Sequence, residues 1–146
     1  MPDWRLRRAV LSDAARLTDV IHRAYAPAHA RGIVLPDVAG GIAEDIRDHL
    51  VWVAVAGAQY GGVIVIVAEE DAAHLANIAV DPSAGGQGVG KVLIEGAIAY
   101  LRQHGVTRLD LTTHVDMPEN ILLYLHLGWQ ESGREADKVY MTRALG

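Results

Sequence analysis

The stretch Ala79-Val-Asp-Pro-Ser-Ala-Gly-Gly-Gln-Gly-Val-Gly-Lys91 decides how this chain folds and what it holds. Upstream, the apolar run from Ala73 to Val80 reads as a strand that stops at Asp81-Pro82. Downstream, the apolar positions switch to helical spacing. Val89, Leu93, Ala97 and Leu101 line one side of a helix from Gly88 to His104, Val92, Gly96 and Tyr100 run alongside, and Gly105 is its C′ stop. Between the two lie Gly85, Gly86, Gly88 and Gly90, four glycines in six positions. That density costs too much backbone entropy for a plain connection. A short turn at a helix N-terminus can instead aim several N–H groups at an anion.

Two other readings of these residues fail. Gly85 to Lys91 matches the P-loop pattern GxxxxGK, but Val92 stands where a hydroxyl must hold Mg²⁺. As a dinucleotide fingerprint the third glycine is misplaced, and the motif sits mid-chain rather than on an opening βαβ unit.

The flanks fill in an alternating α/β pattern. Trp4 to Val10 reads as a first strand, and Ser12 as the N-cap of a helix striped by Leu17, Ile21, Ala24 and Tyr25 up to Pro27. A loop from Ala28 to Gly41 and a short helix from Ile42 to Arg47 follow. Val51–Ala56 and Gly62–Ala68 are strands, the second a nearly continuous Val/Ile run that predicts burial on both faces. Beyond the central helix come a strand at Arg108–Thr113, a helix opened by the capping box Asp116-Met-Pro-Glu119 and ended at Gly128, and strands near Trp129–Glu131 and Lys138–Arg143. The order β-α-α-β-β-β-α-β-α-β-β predicts one mixed α/β domain over residues 1–146, a mixed sheet with helices on its faces.

Composition excludes several classes. A net charge of −5 argues against a broad nucleic-acid footprint, which needs a basic face. No apolar stretch approaches the roughly 18 residues that span a bilayer. The absence of cysteine removes disulfides and thiolate nucleophiles, and the 7 histidines form no HxH or HExxH spacing for a metal. With no apolar leader after Met1, the expected location is the cytoplasm.

The quoted turn, followed by Asn120-Ile-Leu-Leu-Tyr-Leu-His-Leu-Gly-Trp129, resembles the GNAT superfamily of acyl-CoA-dependent N-acyltransferases. The first segment is similar to its strand–V-x-P-x-x-[RQ]-G-x-G-x-[GA]–helix motif, the second to its helix ending in Y-x-x-x-G-[FYW]. The resemblance implies a mixed, mostly antiparallel sheet in which the parallel strands Ala73–Val80 and Arg108–Thr113 splay apart. It implies acetyl-CoA as cofactor, its pantetheine bonded along Ile78 and Val80 and its pyrophosphate on the Gly85–Lys91 turn, at the amides of Gly86, Gln87, Gly88 and Gly90, with Val89 and Lys91 opening the helix. Gly85 departs from the usual Arg or Gln, so one side-chain contact to the phosphates is missing.

Tyr124 occupies the position of the proton donor to the departing thiolate, and His74 that of a proton acceptor; imidazole, with a reference pKa near 6.5, can take a proton at neutral pH. Either residue also suits an ordinary structural place, Tyr124 packed under the sheet and His74 as a plain strand histidine. Asn120, one helical turn before Tyr124, shares its face and is a candidate contact to the pantetheine arm. On the acceptor side stand His114 at the end of its strand and the acidic residues Asp37, Glu44, Asp45 and Asp48, which would attract a cationic amine. Two functions fit: an enzyme passing acetyl to a small-molecule or peptide amine by direct attack, or a non-catalytic acyl-CoA-binding module of the same fold. Dimers occur in the family, so a homodimer is also expected, although no exposed apolar stripe marks one in the sequence.

Overall fold

The computed structural model describes residues 3–32 and 41–146. Seven strands form one sheet in the order β1-β2-β3-β4-β5-β7-β6. They are β1 Arg5–Arg8, β2 Leu50–Ala56, β3 Gln59–Ala68, β4 Ala72–Val80, β5 Arg108–His114, β6 Gln130–Glu135 and β7 Lys138–Ala144. Helices α1 (Ala14–Ala30) and α2 (Ile42–Asp48) cover one face, and α3 (Val89–Gln103) and α4 (Pro118–His126) the other.

Period-two alternation explains how each strand serves two cores. Toward α3 and α4, Ile64, Ile66, Leu75, Leu109, Leu111 and Met141 pack against Leu93, Ala97, Leu101, Tyr124 and Trp129. Toward α1 and α2, Val51, Val53, Val63, Val65 and Ala79 pack against Leu17, Val20, Ile21 and Ile42. Val63 to Ile66 are buried without interruption, as the unbroken Val/Ile run predicts.

Local signals shift in three places. The entry to α1 is secured by Asp13 rather than Ser12: its carboxylate accepts the Val10 N–H at 2.8 Å and two hydrogen bonds from the Arg7 guanidinium. The same helix runs past Pro27 to Ala30, because burial of Ala28 holds the last turn on the sheet although Pro27 donates no hydrogen bond. At α4 the N-cap is Met117, not Asp116, with Pro118 in the first helical position. Asp116 is drawn elsewhere, its N–H to His114 and its carbonyl to Arg31.

The feature that positions the site is a parting of strands. All neighbouring pairs are antiparallel except β4 and β5. These pair only from Ala72↔Arg108 to Leu75↔Leu111, after which β4 continues to Val80 alone on that side. The register of β4 against β3 slips at the same level, Leu75 facing Ile66 and Asn77 facing Val65, so Ala76 is an extra residue. Such a bulge bends and twists its strand. It swings the second half of β4 away from β5 and opens a gap in the sheet.

Candidate active site

Where β4 ends, Asp81 turns the chain. Its carboxylate accepts from the backbone N–H and the hydroxyl of Ser83, at 3.0 and 2.8 Å, and from Arg23 of α1. Burial alone would push this carboxyl up, but the bonds from Arg23 and Ser83 hold it below its ordinary pKa. The anchored turn then leads into α3. Gly85 donates to the Pro82 carbonyl at 3.2 Å, and Val92 to the Gly88 carbonyl at 3.1 Å. Among the described residues, the six N–H groups between them, from Gly86 to Lys91, make no backbone hydrogen bond. Gly86 and Gly88 sit at φ of 75° and 78°, the left-handed region closed to most side chains, which explains glycine at both positions. A cluster of free donors at a helix N-terminus is suited to an anion. The Gly85 amide is not among the free donors. The Lys91 side chain lies exposed beside Glu95, its Nζ 3.8 Å from the carboxylate, so Lys91 joins the site through its amide.

Gln87 is held from outside the turn. The indole N–H of Trp4 donates to its Oε1 at 3.1 Å, which leaves the Gln87 amide nitrogen as a further donor. Ile78 and Val80, half-buried on the α3 side, flank the gap with backbone that β5 no longer pairs.

Tyr124 faces the same gap from α4. Leu127-Gly128 ends that helix, with Gly128 at φ 102°, and the chain doubles back so that Trp129 lies under Tyr124. Their rings meet edge-on at 5.6 Å, and the Trp129 indole is fixed by a 3.0 Å bond to the Leu109 carbonyl. Tyr124 is 7% exposed, and its hydroxyl has no hydrogen-bond partner among the described residues. Burial, with a smaller contribution from Tyr25, raises its pKa far above the ordinary phenol value. Tyr25 reaches the gap from the opposite face. It donates to Asn77 Oδ1 at 2.7 Å, and burial pushes its own pKa up to about 12.

The other candidates are more dispersed. His74 stands on the α1 side of β4, beside Asp110 in register and one pair before the strands part. Asn120 is half-buried one turn before Tyr124 and leans on the Met117 sulfur at 3.7 Å. His114 is occupied structurally: Nδ1 accepts the Asp116 N–H at 3.0 Å, and Nε2 lies 3.2 Å from the Asp137 carboxylate. Glu44 is exposed on α2, which packs on α1 and β2 and is separated by α1 from the gap. Asp37 lies outside the described residues. Tyr25 and Asn77 escape a reading of the sequence, although Asn77 is the one amide in an otherwise apolar run, Leu75 to Val80.

A mixed sheet whose one parallel strand pair parts, with a turn of free amides at a helix N-terminus beside it, is an α/β arrangement that can receive a phosphorylated ligand at that turn. The model of the GNAT acetyltransferase family matches residues 18–129, and the chain belongs to that family, whose acyl donor is acetyl-CoA. Over 62 residues it is 42% identical to the [ribosomal protein bS18]-alanine N-acetyltransferases of Escherichia coli K12 and of Shigella flexneri, a match that spans 42% of this chain and 42% of theirs. Among solved structures, the PaiA N-acetyltransferase of Thermoplasma acidophilum in complex with coenzyme A superposes with a TM-score of 0.88 at 17% identity, over 97% of this chain and 99% of that one. The E. coli S18-alanine enzyme gives 0.78 at 23% identity, over 99% and 95%.

Proposed function

We propose that this protein transfers the acetyl group of acetyl-CoA to a primary amine by direct attack, without an acyl-enzyme. The observation that carries this reading is the pairing of six unbonded amides, Gly86 to Lys91, with the gap beside β4. The turn fits a diphosphate because its donors are unpaired, clustered and placed at a helix N-terminus. The gap fits a pantetheine arm because the edge of β4 from Ala76 to Val80 has lost its β5 neighbour and can bond an extended amide chain instead. Bound acetyl-CoA supplies a thioester carbonyl open to an amine and a thiolate leaving group.

An amine with a lysine-like pKa is about one part in a thousand neutral at pH 7, a penalty of roughly 4 kcal/mol. His74 can accept the proton released as the nitrogen–carbon bond forms. A water chain can carry the proton to it. Tyr124 holds its proton firmly and gives it to the sulfur as the carbon–sulfur bond breaks and the electron pair passes to sulfur.

The acceptor is an amine of a small molecule or of a peptide. The peptide reading draws support from the local match to the [ribosomal protein bS18]-alanine N-acetyltransferases. Calorimetric titration with coenzyme A, followed by thiol release over a panel of diamines, aminoglycosides and short peptides, tests both levels. Absence of coenzyme A binding would overturn the reading. Binding without turnover on any amine would leave only a carrier-binding module.

A further inference from the structure

Asn77 carries an unused donor at the centre of the molecule. The residue is 7% exposed, and its Nδ2 has no hydrogen-bond partner among the described residues. A buried amide N–H left unpaired costs free energy comparable to a lost hydrogen bond, so proteins rarely keep one without use. Asn77 is also an unusual choice for its position: its neighbours Leu75, Ala76, Ile78, Ala79 and Val80 are all apolar.

Its place in the fold suggests what the donor serves. Asn77 is the first residue beyond the bulge at Ala76 and the second beyond Leu75, the last residue of β4 paired with β5. The bulge reverses the alternation, so the side chain points toward α1 rather than toward α3. There the Tyr25 hydroxyl donates to Oδ1 at 2.7 Å, and Nδ2, itself buried, is left without a partner among the described residues. Tyr124 approaches the same gap from the other face.

Resting on the acetyl-transfer reading, we infer that Asn77 Nδ2 donates a hydrogen bond to a carbonyl oxygen brought into the gap by the reactants, and that Tyr25 is the positioning residue that aims it. Two carbonyls qualify: that of the acetyl thioester, and one on the carbon next to the attacking nitrogen in an α-amino amide. A site built to bond an oxygen discriminates strongly against a ligand lacking it, because the donor is then stranded.

The test uses Asn77→Leu combined with Tyr25→Phe, which removes both members of the pair while keeping their shapes, and Tyr25→Phe alone. The double variant should melt at or above the wild-type temperature, since an apolar pair replaces a half-satisfied polar one. Coenzyme A, acetyl-CoA, glycinamide and propylamine are the probes. If the thioester is the partner, the double variant binds acetyl-CoA about tenfold more weakly, while its affinity for coenzyme A stays within twofold. If the acceptor is the partner, both cofactor forms bind as in wild type, and KM for glycinamide rises about tenfold with propylamine unchanged. Tyr25→Phe alone gives a smaller change in the same ratio. Equal behaviour of coenzyme A and acetyl-CoA, together with equal behaviour of the two amines, overturns the proposal. Failure of the wild-type protein to bind coenzyme A instead overturns the acetyl-transfer reading, and this proposal falls with it.

Discussion

Tyr124 illustrates how a side chain's surroundings select its chemistry. Packed on Trp129 and shielded from water, it has a raised pKa and remains a phenol through neutral and mildly alkaline pH. It therefore suits proton donation to a thiolate and not proton removal from an amine. Tyr124→Phe should lower kcat by about a hundredfold, within the range of general-acid catalysis, with little change in coenzyme A affinity. Thiol release and calorimetry on one preparation check this, and an unchanged kcat would remove the role. His74→Ala should reduce the rate most near neutral pH, where imidazole can still accept a proton, and progressively less as pH rises toward the amine's pKa, because the neutral fraction of the amine grows tenfold per unit. A pH–rate profile showing a constant ratio would demote His74. Tyr124 is legible in the sequence through its spacing to Gly128-Trp129. Asn77 is not, because nothing in the spacing reveals the bulge that turns it toward α1.

In the proposed function the working element is the turn with the helix it opens, and Trp4 braces that turn from the first segment of the chain. A Cβ on Gly61 would come within 2.6 Å of the Trp4 ring, so glycine at that position makes room for the indole that holds Gln87. This brace reinforces a turn in which Gly85 lacks a phosphate-reaching side chain. Trp4→Phe and Gln87→Ala should each weaken coenzyme A binding about threefold, and the double variant should be no weaker than either single one. Additive losses in calorimetry would show that the two act separately. Gly88→Ala should weaken binding more, since alanine at φ 78° is strained by roughly 1–2 kcal/mol and would turn the amides away. The turn and helix boundaries follow from glycine placement and apolar periodicity, both local properties. The brace is invisible in sequence because 83 positions separate its two residues.

At the scale of the molecule, two buried carboxylates hold α1 to the sheet at different points. Asp13, bonded first by Arg7 and also by Tyr60 and the Val10 N–H, has its pKa driven well below the carboxylate range, and Asp81 is lowered as well. A depressed folded-state pKa means that the stabilisation is complete above the unfolded value, near 3.9, and drains as pH falls through the folded one. Asp13→Asn should cost about 2 kcal/mol at pH 7, tempered by the half-exposed Arg7, and should flatten the loss of stability between pH 5 and 2. Urea unfolding across that range measures both effects, and an unchanged pH slope would assign the loss to other groups. The surface holds one departure from expectation. Leu122, Leu123 and Leu125 of α4 are exposed, an apolar patch that the helix's short periodic pattern conceals.

The order of elements, the free-amide turn and the place of Tyr124 one turn before Gly128 are properties of the sequence, since each depends on residues within a few positions of one another. Glycine density, apolar period and a fixed spacing suffice for them. The bulge at Ala76 that accompanies the parting of β4 from β5, the orphaned amide of Asn77, the bond of Tyr25 to it and the engagement of His114 belong to the tertiary structure alone. Each arises where distant strands and helices compete for the same hydrogen-bonding groups, and that competition is resolved only when the sheet is assembled.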